Sequence, residues 1–386
     1  MTGETLHAPT GIRSAVTSRI GQKAVNGASN LLVSGDAAAT RQVAWWLGGC
    51  TGLVFSMVVI GGITRLTRSG LSMTEWRFLG TLPPLNAEEW EVEFGKYKRS
   101  PEFRKCNASM TLEEFKFIYW MEYAHRMWGR GLGIAFGLPL LYFGFKGYIT
   151  RRLAIPLSLL FVAGGCQGFI GWWMVKSGLN EPLYHYEIPR VSPYRLATHL
   201  TSAFAIYTGL LWTTLSVALP ESPAALATSA AVRAGATRLR MLVVPLTGLI
   251  GVTAISGAFV AGLDAGHAYN TFPLMDGRIV PEEIFRLQPM WKNFFENTAT
   301  VQFDHRLLAA STLSSVSAVW LLTRGMPVPA RSALLLNGLL GVTCMQVSLG
   351  IATLLNYVPV SLGSAHQAGA LTLFSVAISL LHSLRK

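Results

Sequence analysis

The chain has 386 residues, of which 51% are hydrophobic and only 13% charged, and it carries a formal charge of +12. That composition excludes an ordinary soluble globular domain. The basic residues recur in alternate short loops instead of forming one patch, which excludes a nucleic-acid face, so the expected class is an all-α polytopic protein in a lipid bilayer.

In chain order, residues 1–42 come first, rich in Ser, Thr and Ala, with Arg13, Arg19, Lys23 and Arg41 against Glu4 and Asp36. This fits a targeting segment or a tail. Apolar runs of about 20 residues, enough to cross roughly 30 Å of hydrocarbon, follow near 43–63, 123–145, 153–174, 196–218, 241–263, 303–322, 332–355 and 361–381. Eight transmembrane helices are expected, as two tandem four-helix bundles over 43–218 and 241–386, joined by a basic linker at 219–240.

The loops differ by turn. Lys146, Arg151, Arg152, Arg233, Arg238, Arg240, Arg324 and Arg331 fill short loops almost free of acids, whereas 64–118 and 264–300 mix both signs. Positive-inside bias then places the short loops and both termini on the matrix or cytoplasmic side. In the first long loop, Asn86 with Glu89 and Thr111 with Glu114 are capping-box patterns. They predict a short helix and, beyond Pro101, a helix that runs on into the second span. In the second, Asn270-Thr271-Phe272-Pro273 reads as a turn and Pro281-Glu282-Glu283 as the start of a short helix. Cys50, Cys106, Cys166 and Cys344 form no CxxC pair and read as unpaired thiols, three of them within spans.

Both bundles follow one plan. Gln167 and Gly171 in the third span recur as Gln346 and Gly350 in the seventh; Gly61-Gly62 in the first recurs as Gly257-Ala258 in the fifth. His125 and His199 lie on the second and fourth spans, and His305 and His366 on the sixth and eighth. An even number of spans per half makes the halves parallel repeats. Ionisable groups at membrane depth mark functional sites, and neutral imidazole is an axial ligand of haem iron. The four histidines therefore read as two ligand pairs, His125 with His199 and His305 with His366. A helix-end histidine facing headgroups is the plainer explanation of any one of them, and fourfold repetition argues against it. His7, His185, His267 and His382 lie at termini or in loops and have weaker claims.

Glu122 precedes His125 by three residues and Arg126 by four, so all three share a helical face. The matching residue before His305 and Arg306 is Gln302. A glutamate beside a haem-sized pocket can transfer protons or hold a polar group; a glutamine cannot transfer a proton. The first half is thus expected to be reactive and the second to serve electron transfer or structure, the plainer alternative being a simple Glu122–Arg126 pair. Arg65, Arg68, Arg126 and Arg306 are candidates for haem propionates, or else snorkel to headgroups. Trp76, Trp120, Trp128, Trp172 and Trp173 divide between an interfacial belt and pocket walls.

The stretches Gly61-Gly62-Ile63-Thr64-Arg65-Leu66-Thr67-Arg68-Ser69-Gly70-Leu71-Ser72, Tyr119-Trp120-Met121-Glu122-Tyr123-Ala124-His125-Arg126, Ser256-Gly257-Ala258-Phe259-Val260-Ala261-Gly262 and Asn270-Thr271-Phe272-Pro273 resemble the haem A synthase family over roughly 41–384. The long first loop resembles its mitochondrial and alphaproteobacterial branch. The resemblance implies oxidation of the C8 methyl of haem O to a formyl group by successive hydroxylations, giving haem A for cytochrome c oxidase. It implies a resident haem b on His305 and His366, near Arg306, and haem O as substrate at His125 and His199, near Arg126 and with Glu122 essential. It further implies a ferredoxin-type electron donor, contact with a haem O synthase and a place in the mitochondrial inner membrane, or a bacterial inner membrane, and it leaves a homo-oligomer open. Cys106 stands alone in its loop, so the outer cysteine pair of some bacterial members has no counterpart here. The rivals are a dihaem b-type electron-transfer cytochrome, which shares the histidines, and a transporter built from parallel repeats, which explains the symmetry alone.

Overall fold

The computed structural model describes residues 32–77, 79–179 and 189–385. His7, His185 and most of the expected tail lie outside them. The first long helix, α1 (Ala37–Leu66), starts where the Asp36 side chain accepts the Ala39 N–H, inside the stretch read as a tail. Ser34 and Thr150 tie the preceding residues to the turn near Tyr148, through Ser34 N–H to the Tyr148 carbonyl at 2.8 Å and Thr150 Oγ1 to the Leu32 carbonyl at 2.8 Å.

The first long loop holds α2 (Ala87–Lys98) and α3 (Pro101–Cys106). Asn86 caps α2 through the Glu89 N–H, and Ser100 caps α3 with Pro101 in its first turn, so the proline opens a helix as well as separating two. Thr111 and Glu114 form the complete capping box of α4 (Leu112–Phe145), which runs unbroken from the loop into the second apolar segment. Next come α5 (Arg151–Leu179), α6 (Pro193–Ala218), the single turn α7 (Pro223–Leu226) and α8 (Ala230–Gly262). Arg233, Arg238 and Arg240 of the expected linker lie on the first turns of α8. After the second long loop come α9 (Asn293–Glu296), α10 (Thr298–Leu322), α11 (Ala330–Leu355) and α12 (Val360–Ser383).

Two sequence expectations shift. Pro281-Glu282-Glu283 opens a turn, not a helix, and the backbone leaves the helical region at Phe285 (φ 58°). Of the eight expected spans, six helices are long and apolar enough to cross a membrane: α1, α5, α6 with its extension to Leu226, α8, α11 and α12. Those outside this set are α4 and α10, which carry His125 and His305. Arg126, Arg130 and several glycines dilute the first; Arg306 and the Ser/Thr-rich stretch at 311–317 dilute the second.

Packing is built twice. α1 lies against α4 and α6, with α5 on α6; α8 lies against α10 and α12, with α11 on α12. The halves meet where α6 packs on α8 and α12 on α1. One apolar core centres on Val43, Leu47, Leu153, Leu157 and Leu210, and the other on Leu239, Val243, Val316, Leu339 and Leu380. About a third of the α1 and α12 spans is buried (33% each) against 11% for α5, so α5 turns Leu159, Phe161 and Val162 outward as lipid would demand. A third cluster, Trp90, Phe94, Tyr97, Phe115 and Tyr119, packs α2 and α3 onto the loop end of α4. That cap sits at the end of the bundle where the histidines are.

Candidate functional site

Each histidine rests on a glycine of the neighbouring helix. A Cβ built on Gly61 would stand 3.0 Å from His125 Cε1, one on Gly171 3.0 Å from His199, one on Gly257 3.4 Å from His305, and one on Gly350 2.8 Å from His366. At Gly61, Gly171 and Gly350 a side chain would crowd the ring, whereas at Gly257 it would meet the ring at ordinary contact distance. All four imidazoles remain half-buried. The structure therefore brings together His125 with α1, His199 with α5, His305 with α8 and His366 with α11, as the repeat predicts.

The Q-x-x-x-G pattern now has a purpose. Gln and Gly four apart share a helical face, and while the glycine admits the ring, the glutamine anchors it. Gln167 Nε2 lies 3.2 Å from His199 Nδ1 and donates to its carbonyl at 2.8 Å; Gln346 does the same for His366 at 3.1 and 2.8 Å. His305 Nδ1 instead meets Ser256 Oγ at 2.7 Å, whose hydroxyl donates to the Thr253 carbonyl at 2.8 Å. The serine oxygen thus accepts from Nδ1–H, and the Nε2 lone pair of His305 is left available.

Glu122 is buried and accepts three hydrogen bonds, from Ser72 Oγ at 2.7 Å, the Met73 N–H at 2.7 Å and Arg126 at 2.6 Å. Gln302, equally buried, donates to the Ala265 and Ala268 carbonyls at 2.7 and 2.6 Å and accepts from Arg306 at 3.1 Å. Each residue clasps the loop that follows the first helix of its own half. Arg126 reaches the Met73 and Glu75 carbonyls at 2.9 and 2.8 Å, and Arg306 the Tyr269 carbonyl at 2.7 Å. Two of the four arginines expected near propionates, Arg126 and Arg306, are thus engaged with loop backbone.

Sequence reasoning missed the cluster between the halves. Asp264 pairs with Arg65 at 2.8 Å, and Arg68 and Arg190 approach it at 3.7 and 3.9 Å. Arg65 also donates to the Ala261 carbonyl at 2.6 Å. Three cations around one carboxylate leave a positive excess beside the histidine end. No local pattern joins Arg65 to Asp264, 199 residues on. Trp76 packs on Trp172 with centroids 6.1 Å apart, Trp120 joins the loop cluster beside Trp90, and Trp173 lies under Arg195.

The rings of His305 and His366 have centroids 6.4 Å apart and planes at 86°. Two imidazoles on opposite sides of one metal, at the usual metal–nitrogen length of about 2.0 Å, hold their centroids roughly 6.3 Å apart. At this spacing His305 and His366 would hold a single haem iron between them, and the iron would supply redox chemistry there. Among the described residues, no group of three or more His, Cys, Asp or Glu gathers as a metal cluster.

Comparison with known proteins extends over nearly the whole chain. The COX15-CtaA family, described as cytochrome oxidase assembly protein, matches residues 44–378. The chain is 60% identical over 356 residues to heme A synthase COX15 of Arabidopsis thaliana, covering 92% of this chain and 77% of that one. It is 47% identical over 350 residues to heme A synthase COX15 of Bos taurus, covering 90% and 83%. It is 46% identical over 350 residues to heme A synthase of Nitrosospira multiformis, covering 90% and 95%. The match over residues 44–378 and these relatives place the chain in the COX15-CtaA family of cytochrome oxidase assembly proteins.

Proposed function

We propose that this chain is a haem A synthase, an oxidoreductase that converts the C8 methyl of haem O to a formyl group in successive oxidations. Its eight long helices all cross the membrane as two tandem four-helix bundles, α1 with α4 to α6 and α8 with α10 to α12. The short basic loops and both termini lie on the matrix side of a mitochondrial inner membrane or the cytoplasmic side of a bacterial one. His305 and His366 hold a resident haem b, and His125 and His199 receive haem O. The observation that carries this reading is the 6.4 Å spacing of the His305 and His366 rings, repeated in plan by His125 and His199 on their own glycines.

A methyl carbon has no acidic proton, and haem iron, when bound, supplies the oxygen-activating and electron-carrying chemistry that its oxidation needs. The chain positions and shields. Gln167 and Gln346 orient His199 and His366, and Ser256 orients His305. Glu122 is a positioning residue: its carboxylate ties Ser72, Met73 and Arg126 to the helix turn below His125, and both oxygens are already occupied as acceptors. Arg65 and Arg68, with positive charge in excess around Asp264, offer partners for propionates at the seam of the halves. Electrons come from a ferredoxin-type donor on the basic side, and haem O comes from a haem O synthase.

Extraction and chromatography of the haems that copurify with the full-length protein tests this. Haem B together with haem O or haem A is the expected result. Two haem B per chain, with no haem O or haem A, overturns it in favour of a dihaem cytochrome.

A further inference from the structure

The halves differ along one seam, between α4 and α5. At one level Phe136 stacks on Phe161 with centroids 6.2 Å apart, and a Cβ on Gly137 would stand 3.0 Å from the Phe161 ring. Towards the loop end, Trp172 packs on Trp76, and Arg130 donates to the carbonyl of the neighbouring Arg77 at 2.8 Å, which holds the first long loop across both helices. By the three- and four-residue steps of a helix, Arg126, Arg130, Gly133 and Gly137 form one stripe of α4, and Phe161, Gly165, Gly168 and Trp172 one stripe of α5. Between these two closures the walls are bare. Gly133, Gly164, Gly165 and Gly168 are exposed, and a Cβ on any of them would meet nothing within 4 Å. The helices part over about 16 Å, the rise from Phe161 to Trp172. Gly168 stands one turn from Gly171, the seat of His199, so the groove adjoins the first-half site.

The second half is filled at the matching places. Aligned on His125 with His305 and on Gln167 with Gln346, the four glycines correspond to Leu313, Thr343, Cys344 and Val347, and Thr343 is buried. The loop end of the groove is polar instead. A cavity there is lined by Met73, Arg77, Tyr123, Arg126 and Arg130, and Arg77, Lys96, Arg126 and Arg130 outnumber the carboxylates Glu75, Glu93 and Glu122 around it.

We propose that this groove is the port through which haem O passes between the bilayer and the His125–His199 site, its hydrocarbon tail along the glycines and its propionates towards the arginine-lined cavity. This rests on the haem O reading above and concerns only the route. A molecule with a water-insoluble tail and carboxylate groups is matched by an apolar groove open to lipid and by a cationic end. The second half, which keeps its haem, has no such opening.

The test follows haem O between liposomes and the full-length protein, without reductant, by extraction and chromatography after the two are separated. It reads transfer and no turnover. Gly168→Val and Gly133→Leu give opposite walls of the groove the residues of the second half, and both replace a helix glycine by a better helix former. Each is expected to slow uptake from haem O liposomes and release into haem-free liposomes alike, by about 10-fold, with haem B content unchanged; either variant serves should the other fail to fold. Transfer at wild-type rates overturns the proposal. So does a lower occupancy with release as fast as in wild type, which would make the glycines walls of the pocket and not of a port. The haem O reading fails by a different sign, a wild-type protein that takes up no haem O at all, and the port fails with it.

Discussion

Glu122 and Gln302 occupy the same position in the two halves, and each closes a loop onto the helix that bears a histidine, yet the bonds run in opposite directions. Around Glu122 the loop supplies donors, the Ser72 hydroxyl and the Met73 N–H; around Gln302 it supplies acceptors, the Ala265 and Ala268 carbonyls. The arginine four residues on donates to both. The difference between carboxylate and amide is therefore matched by the backbone of a separate loop, and each residue belongs to its own half. Glu122 also offsets the charge of Arg126 in one half, whereas Gln302 brings no charge to offset that of Arg306 in the other, within one turn of the histidine.

Exchanging the two side chains is the most direct way to break that comparison. Glu122→Gln turns an amide N–H towards a neighbour that also donates, and haem A formation is expected to fall by about 100-fold, the equivalent of about 3 kcal/mol for a broken buried charge pair. The haem held by His305 and His366 stays bound, as chromatography of extracted haem would show. An unchanged haem A yield sinks the role of Glu122. Gln302→Glu faces a carboxylate with two carbonyls and is expected to cost about 3 kcal/mol, read as a lower melting temperature and loss of the second-half haem.

The glycine seats sharpen the comparison at smaller cost. Gly350→Ala and Gly61→Ala place a methyl 2.8 and 3.0 Å from His366 and His125, whereas Gly257→Ala leaves 3.4 Å to His305. Crowding of this kind costs about 1–3 kcal/mol. The first two variants are expected to lose about 10-fold in haem retention in their own halves, and G257A to stay near wild type. Equal losses in all three would show that the seats do not set ring position.

The long loops differ in a way that pH reads. In the first, Glu102 is buried, accepts from Tyr97 at 3.0 Å, and burial pushes its carboxyl up to about 7 from the usual 4.5. The second loop keeps Asp276, Glu282 and Glu283 exposed. Between pH 4.5 and about 7 the folded loop binds the proton that the unfolded chain has released, so its stability falls as pH rises through that window, by roughly 3 kcal/mol at most. Trp90 fluorescence or protease cutting within 87–106 should follow this slope, and Glu102→Gln should flatten it. A loop whose stability rises with pH across the window would contradict the burial argument.

Much of this was legible in the sequence because it is written in side chains with a period. Apolar runs gave the helices, the capping boxes at Asn86 and Thr111 gave two helix starts, and the repeat of Gln167-Gly171 in Gln346-Gly350 marked a face whose role the structure supplies. Other features have no local signature. Arg65 finds Asp264 only when α1 meets the end of α8, and the donors or acceptors that meet Glu122 and Gln302 are mostly backbone groups, which every residue carries. The eight spans were counted from hydropathy, yet α4 and α10 fall below the other six because Arg126, Arg130 and Arg306 and polar residues along them dilute the apolar run.

α1 also leans on the far end of the chain. The Gln367 side chain sits against Gly62, where any Cβ would overlap it, and donates to the Val58 carbonyl at 3.0 Å, while Leu371 completes the core of the first half. During synthesis, then, α1 packs on α4 and α6 first, and the side that carries Gly62 stays open until α12 is made. Removing α12 would therefore take away His366 and also uncover the face of α1 beside Gly61, the glycine that seats His125.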